Sequence, residues 1–214
     1  MVEAYLRQSA LAHLGLDGRA EPSRGAAGVA LAERPHRGMV NLRLDPSDET
    51  AMNAFAEAFG FALPVQPNTT AGDGEASALW LGPDEWWIVS PDPGPDPRPE
   101  AGPDLANKLR AALADGFAAV TEVGEGRTCI RIAGPKARAL LQKGCPLDFH
   151  PRAFAAGACA QTLLAKATVV IYLSADESAA EGPVFEVYVL RSFAEYLWAW
   201  LEDAGAEYGV TVIP

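Results

Sequence analysis

The chain has 214 residues, 49% of them hydrophobic and 21% charged, with a formal net charge of −11 at pH 7. That composition supports one sizeable core, or two small lobes around a shared one, and does not describe a disordered chain. The excess of acid argues against a nucleic-acid partner and against an anionic membrane surface, since both are bound through lysine and arginine.

The N-terminal stretch carries Glu3 early and has no continuous apolar run, so it does not read as a secretory signal. Polar breaks such as Lys166 and Thr168 keep every apolar stretch short of the roughly 20 residues that a spanning helix needs. Cys129, Cys145 and Cys159 are an odd number without framework spacing. They fit free thiols in a reducing compartment, and the expected location is the cytoplasm.

In chain order, residues 4–14 suit a short helix, and 29–32 and 39–44 read as strands around Pro35-His36-Arg37-Gly38. Asp45 suits an N-cap, with Pro46 in the first turn and Asp48 and Glu49 favouring the dipole, for a helix running to Phe59 and stopped by Gly60. Residues 66–76 form an expected long loop. Residues 79–81 and 86–89 flank Gly82-Pro83-Asp84-Glu85 and predict a hairpin. The alternating prolines of 91–103 predict a second long, extended loop, because proline fixes φ and removes an amide donor.

A helix over about 104–114 is expected to end at Gly116. Residues 118–122 and 129–132 read as a second strand pair around Gly124-Glu125-Gly126. Gly134-Pro135 opens a helix through Leu141, and Gly144 closes it. Residues 161–173 read as one long strand, with Phe185, Val187 and Val189 alternating in an antiparallel neighbour. Ser192 and Glu195 predict a capping box. On the helix that follows, Phe193, Tyr196, Leu197, Trp200 and Leu201 share one face. Gly205 ends it, and 208–213 is a last strand. Strands in pairs with helices between them predict an α+β fold with a mostly antiparallel sheet, read as a single domain over 1–214.

The search for chemistry finds fragments of sites. Cys145, His150 and Cys159 supply at most three metal ligands, without the paired spacing of structural zinc. Buried thiols and a turn histidine account for them. A Cys–His nucleophile needs its base within hydrogen-bond reach, and nothing in the sequence places His150 beside a thiol. Asp84-Glu85 lies in a turn, where Asp bonds its own backbone, and Glu122 with Glu125 flanks another. Gly124-Glu125-Gly126-Arg127 resembles the start of a glycine-rich phosphate loop but precedes a strand and lacks the third glycine. No catalytic, cofactor-binding or metal-binding residue is therefore assigned. The tryptophans carry more information. Trp86 and Trp87 face opposite sides of a strand, and Trp198 lies off the expected helix stripe, so Trp86, Trp87 and Trp198 are the candidate residues for a partner interface.

The blocks R-T-C-I-R-I-A-G-P-K-A-R-A-L-L-Q-K-G-C-P-L-D-F-H (127–150), C-A-Q-T-L-L-A-K-A (159–167) and F-E-V-Y-V-L-R-S-F-A-E-Y-L-W-A-W-L (185–201) occur in that order. Together with L-G-P-D-E-W-W-I (81–88), they resemble the gamma subunits of heterotetrameric sarcosine oxidase over roughly 29–204. That family is in turn similar to the N-terminal folate-binding part of the glycine-cleavage aminomethyltransferase. In such relatives an aspartate opens the turn before the Gly-Pro helix, a position held here by Glu122.

The resemblance implies a non-catalytic structural subunit working with alpha, beta and delta subunits. The assembly would demethylate sarcosine oxidatively, giving glycine, hydrogen peroxide, and formaldehyde or 5,10-methylenetetrahydrofolate. It places FAD, FMN, NAD, zinc and tetrahydrofolate in the partner subunits and none in this chain. The alternative is a free-standing folate-dependent protein of the aminomethyltransferase type, with Glu122 anchoring a folate nitrogen.

Overall fold

The computed structural model describes residues 8–23, 25–91, 105–114 and 116–214. They sort into two compact units, His36–Glu125 and Gln8–Pro35 with Gly126–Pro214.

The first unit is a five-stranded sheet with two helices on one face. Strands β2 (Gly38–Leu44), β3 (Thr70–Gly72), β4 (Ser77–Gly82), β5 (Glu85–Ser90) and β6 (Ala118–Glu122) lie in the order β3-β4-β5-β2-β6, antiparallel throughout. Helix α2 (Glu49–Phe59) begins at Asp48, whose carboxylate accepts from the Ala51 amide at 3.0 Å. Asp45, the expected cap, instead closes a turn onto Ser47. Gly60 ends the helix at φ 78°, a conformation that costs a residue with a Cβ. Ala51, Phe55 and Phe59 recur every four residues along α2 and pack with Ala106 and Leu109 of α3 (Leu105–Ala112) onto Leu42, Trp86 and Ile88 of the sheet. Burying a side chain such as Phe55 contributes about 2 kcal/mol. The expected loop over 66–76 contains β3, a short edge strand that pairs with β4. Of the proline-rich stretch, Pro91 is described and the rest lies outside the described residues.

The second unit is a six-stranded sheet. Its strands are β1 (Val29–Arg34), β7 (Arg127–Ala133), β8 (Cys159–Leu164), β9 (Ala167–Ala175), β10 (Val184–Leu190) and β11 (Val210–Val212), in the order β11-β1-β7-β10-β9-β8. Its ladders are antiparallel except for β1 with β11. The one-turn helix α1 (Leu16–Arg19), α4 (Ala137–Gln142) and α5 (Ala194–Gly205) complete the unit. Leu140, Leu197, Trp198 and Leu201 from the last two helices cover Ile130, Ile171 and Val187 of the sheet. Of the short helix expected over 4–14, residues 12–14 form a single 3-10 turn, and 4–7 lie outside the described residues.

Three further local expectations are corrected. Strand β6 does not pair with β7, because that connection crosses from one sheet to the other. The long strand over 161–173 is a hairpin of β8 and β9, turning at Ala165 with φ 52°. The uninterrupted alternation concealed a turn without glycine. Helix α5 has no capping box: Phe193 is its N-cap, a 3-10 turn over Arg191–Phe193 precedes it, and Glu195 lies 3.3 Å from His13.

Candidate functional site

The carboxylates that the sequence marks are structural. Arg43 Nη2 donates to both Asp84 oxygens at 2.9 and 2.8 Å, and Asn41 Nδ2 donates to Glu85 at 2.7 Å. Two side chains of β2 thus hold the β4–β5 turn, and the Asp84 carboxylate raises the Arg43 pKa above its ordinary value. Glu122 sits on the edge strand β6, with 63% of its side chain exposed, and pairs with Arg110 at 3.3 Å. An exposed, paired carboxylate has neither the desolvation nor the enclosure that an electrostatic anchor for a ligand nitrogen requires. Gly124-Glu125-Gly126 forms a single 3-10 turn that runs into β7, with no helix N-terminus behind it.

All three cysteines are buried thiols outside any disulfide. Cys145 Sγ lies 3.6 Å from Thr162 Oγ1. His150 is exposed, and its Nδ1 accepts from the Arg152 amide at 3.2 Å, so it closes a turn. Among the described residues no group of three or more His, Cys, Asp or Glu side chains could hold a metal ion.

Shifted acids follow the same pattern. Asp45 and Asp176 are held below the usual carboxylate range by hydrogen bonds from Ser47 and Ser178, and Asp73 by the amides of Ala76 and Glu75. Arg138 lowers Glu177 through a side-chain hydrogen bond. Lys143 and Glu207 shift each other, the amine upward and the acid downward. Burial pushes the Arg127 guanidinium down. Apart from Arg127, each shift belongs to a turn or an ion pair that fixes the fold.

Two polar centres organise the second unit. Arg138, with 11% of its side chain exposed, donates from Nη1 to the Phe149 and Phe154 carbonyls at 2.7 and 2.9 Å and binds Glu177 through Nε. Its guanidinium also stands 5.5 Å from the Phe185 ring centre. Lys143 binds Glu207 and donates to the Ala204 carbonyl, satisfying one of the orphan acceptors at the end of α5.

The three tryptophans proposed for an interface lie inside the chain. Trp86 and Trp198 are fully buried, and Trp87 is nearly so on the opposite sheet face. Trp86 fills the core of the first unit and donates from Nε1 to the Pro64 carbonyl at 2.7 Å. Trp198 fills the core of the second. Helix α5 is rotated from the expected stripe: Ala194, Leu197, Trp198, Leu201 and Gly205 are buried, while Phe193 and Tyr196 remain 40% and 38% exposed. Leu190 is exposed three residues before Phe193. The signal was present in the sequence as an apolar arc too wide for one core face.

Two antiparallel-dominated sheets faced by helices define the class to which this chain belongs. The same arrangement occurs in the glycine cleavage system aminomethyltransferase T from Bartonella henselae. That crystal structure aligns with 97% of this chain and 59% of its own length, at 14% identity and a TM-score of 0.68. At that identity the likeness is one of fold. Residues 43–207 match the model of the sarcosine oxidase, gamma subunit family, and the chain belongs to that family.

A sarcosine oxidase subunit gamma from Corynebacterium sp. (strain P-1) is 34% identical over 86% of this chain and 83% of its own. One from Arthrobacter sp is 34% identical over 95% and 92%. The heterotetrameric sarcosine oxidase from Corynebacterium sp. U-96, in complex with pyrrole 2-carboxylate, contains a chain that aligns with 95% of this one and 96% of itself. The identity is 31% and the TM-score 0.77.

Proposed function

We propose that this chain is a non-catalytic structural subunit of a heterotetrameric sarcosine oxidase, built with alpha, beta and delta subunits. The observation that carries this reading is its end-to-end likeness, at 31% identity, to a chain of an assembled heterotetramer. The assembly oxidises the N-methyl group of sarcosine, releasing glycine and hydrogen peroxide together with formaldehyde or 5,10-methylenetetrahydrofolate. FAD, FMN, NAD, zinc and tetrahydrofolate belong to the partner subunits. The placement of Asp84, Glu122 and Arg138 supports that division, because these charged side chains are engaged in turns and ion pairs that hold the fold. Among the described residues no helix is long and apolar enough to cross a membrane, and the proposed location is the cytoplasm. The exposed, Arg110-paired Glu122 disfavours the alternative of a free-standing folate-dependent protein.

The test is co-expression of the tagged chain with its genomic neighbours, purification on the tag, and an absorption spectrum. A yellow complex that forms peroxide with sarcosine is the expected result. A colourless, lone chain that binds tetrahydrofolate in calorimetry would overturn it.

A further inference from the structure

Helix α5 presents more apolar surface than its own core can cover. At 100° per residue, its apolar side chains from Tyr196 round to Trp198 span about 200° of circumference, whereas an ordinary core-facing stripe needs little more than about 100°. The buried set, Ala194, Leu197, Trp198, Leu201 and Gly205, accounts for one half of that arc. The other half is Tyr196 with the half-buried Trp200, continued across the preceding 3-10 turn by Phe193. Phe193 closes the 3-10 turn and Tyr196 follows three residues on in the first turn of α5, on the same flank, while Leu190 is the last residue of β10, directly before that turn. Of the six large hydrophobic side chains exposed among the described residues, these three fall within seven residues of sequence, while Val65, Phe117 and Leu163 are scattered. Apolar side chains exposed singly need no explanation, but three within seven residues do.

The patch is held in shape before anything binds it. Arg191 Nη2 donates to the Gln8 and Ser9 carbonyls at 2.5 and 3.2 Å, which fixes the turn between Leu190 and Phe193. Trp200 is seated against Gly144, where a Cβ would come within 2.5 Å of the indole ring. A preorganised aromatic surface loses little conformational entropy on association, the property expected of an anchor at the centre of an interface.

Charge decides what covers it. Helix α5 carries Glu195, Glu202 and Asp203 and has no lysine or arginine from Ala194 to Gly205. His13 and Arg19 meet two of these carboxylates from within the chain, which as a whole still carries a net charge of −11. A second copy would set two acidic bodies and two acidic helices against each other, so self-association is disfavoured.

We propose that Leu190, Phe193 and Tyr196 form the docking surface for a different subunit of the oxidase, one that offers an apolar pocket rimmed by lysine or arginine. This rests on the subunit reading above and moves the interface from the buried Trp198 to the adjoining flank of the same helix.

The experiment uses the whole co-expressed assembly. Hydroxyl-radical footprinting is compared between the isolated wild-type chain and the chain in its complex, and the double variant Phe193→Asp/Tyr196→Asp is co-expressed in parallel. The expected result is at least about ten-fold slower oxidation of Phe193 and Tyr196 in the complex, and at least about ten-fold less partner subunit recovered with the double variant. Phe117→Asp, at an isolated site, should leave recovery unchanged.

Unchanged footprinting rates in a complex that does form would overturn the surface while leaving the subunit reading intact. This holds even if the double variant fails to fold, because footprinting needs no substitution. A wild-type chain that recovers no partner overturns the subunit reading and this inference with it. A wild-type homodimer that the double variant dissolves assigns the surface to a second copy and overturns the proposal.

Discussion

Each compact unit buries one tryptophan completely, and the two are supported differently. Trp86 stands near the start of β5, and its indole N–H reaches the Pro64 carbonyl beyond α2. Trp198 stands in α5, and its Nε1 is buried with no hydrogen-bond partner. Both rings exclude water from a core, but only the first also ties a loop to the sheet. An unsatisfied buried N–H costs about 1–3 kcal/mol, so Trp198 carries a local deficit that Trp86 does not. Identical side chains at similar burial therefore make unequal contributions, and that difference can be tested by substitution.

The largest effect should come from truncation. Trp86→Ala and Trp198→Ala should each destabilise the chain by about 3–5 kcal/mol in urea unfolding, since both remove a large ring from a closed core. Next is Arg138→Met, which keeps the aliphatic stem but leaves the Phe149 and Phe154 carbonyls without their donor. A loss of about 2–3 kcal/mol is expected, with faster hydrogen exchange across 145–158. Arg138 belongs to the second unit, so exchange in β2 and β5 of the first should stay unchanged.

The sharpest comparison is Trp86→Phe against Trp198→Phe. Both lose volume, but only the first breaks a hydrogen bond, whereas the second removes an orphan donor. Trp198→Phe should be milder by about 1–2 kcal/mol, and equal losses would show that the Trp198 N–H is satisfied in solution.

The smallest effect concerns pH. Arg138 depresses the folded-state pKa of Glu177, so this pair's stabilisation is present above the ordinary carboxylate pKa and is lost as pH falls through the depressed one. Glu177 is nearly half exposed, and the contribution should stay below about 1 kcal/mol. Glu177→Gln should lower stability at pH 7 by that amount and flatten its decline on acidification, read from melting temperatures between pH 7 and pH 3.

Much of the local structure was legible in the sequence because it depends on neighbours along the chain. The β4–β5 hairpin follows from a Gly-Pro-Asp turn between two apolar runs. The end of α2 follows from Gly60. The alternation of Phe185, Val187 and Val189 gives the inward face of β10 and its antiparallel contact with β9. The turn position of Asp84 and Glu85 and the turn histidine at His150 were legible for the same reason, although the two carboxylates are held by Arg43 and Asn41 of β2 and not by the local backbone expected for Asp84.

Which strand joins which sheet was not legible, nor which side of a broad apolar helix turns inward. The segment after β6 looks like a hairpin connection, yet it crosses between sheets, because strand pairing is settled by long-range backbone hydrogen bonds that leave no local signature. Helix α5 reads as apolar through two of its faces, and only packing against α4 and the sheet selects Trp198 for the core over Tyr196. Periodicity and turn chemistry thus determined the elements and the α+β class. Tertiary structure alone decided the sheet membership, the burial of the tryptophans and the exposure of the aromatic flank, since those depend on which surfaces meet and not on which residues are adjacent.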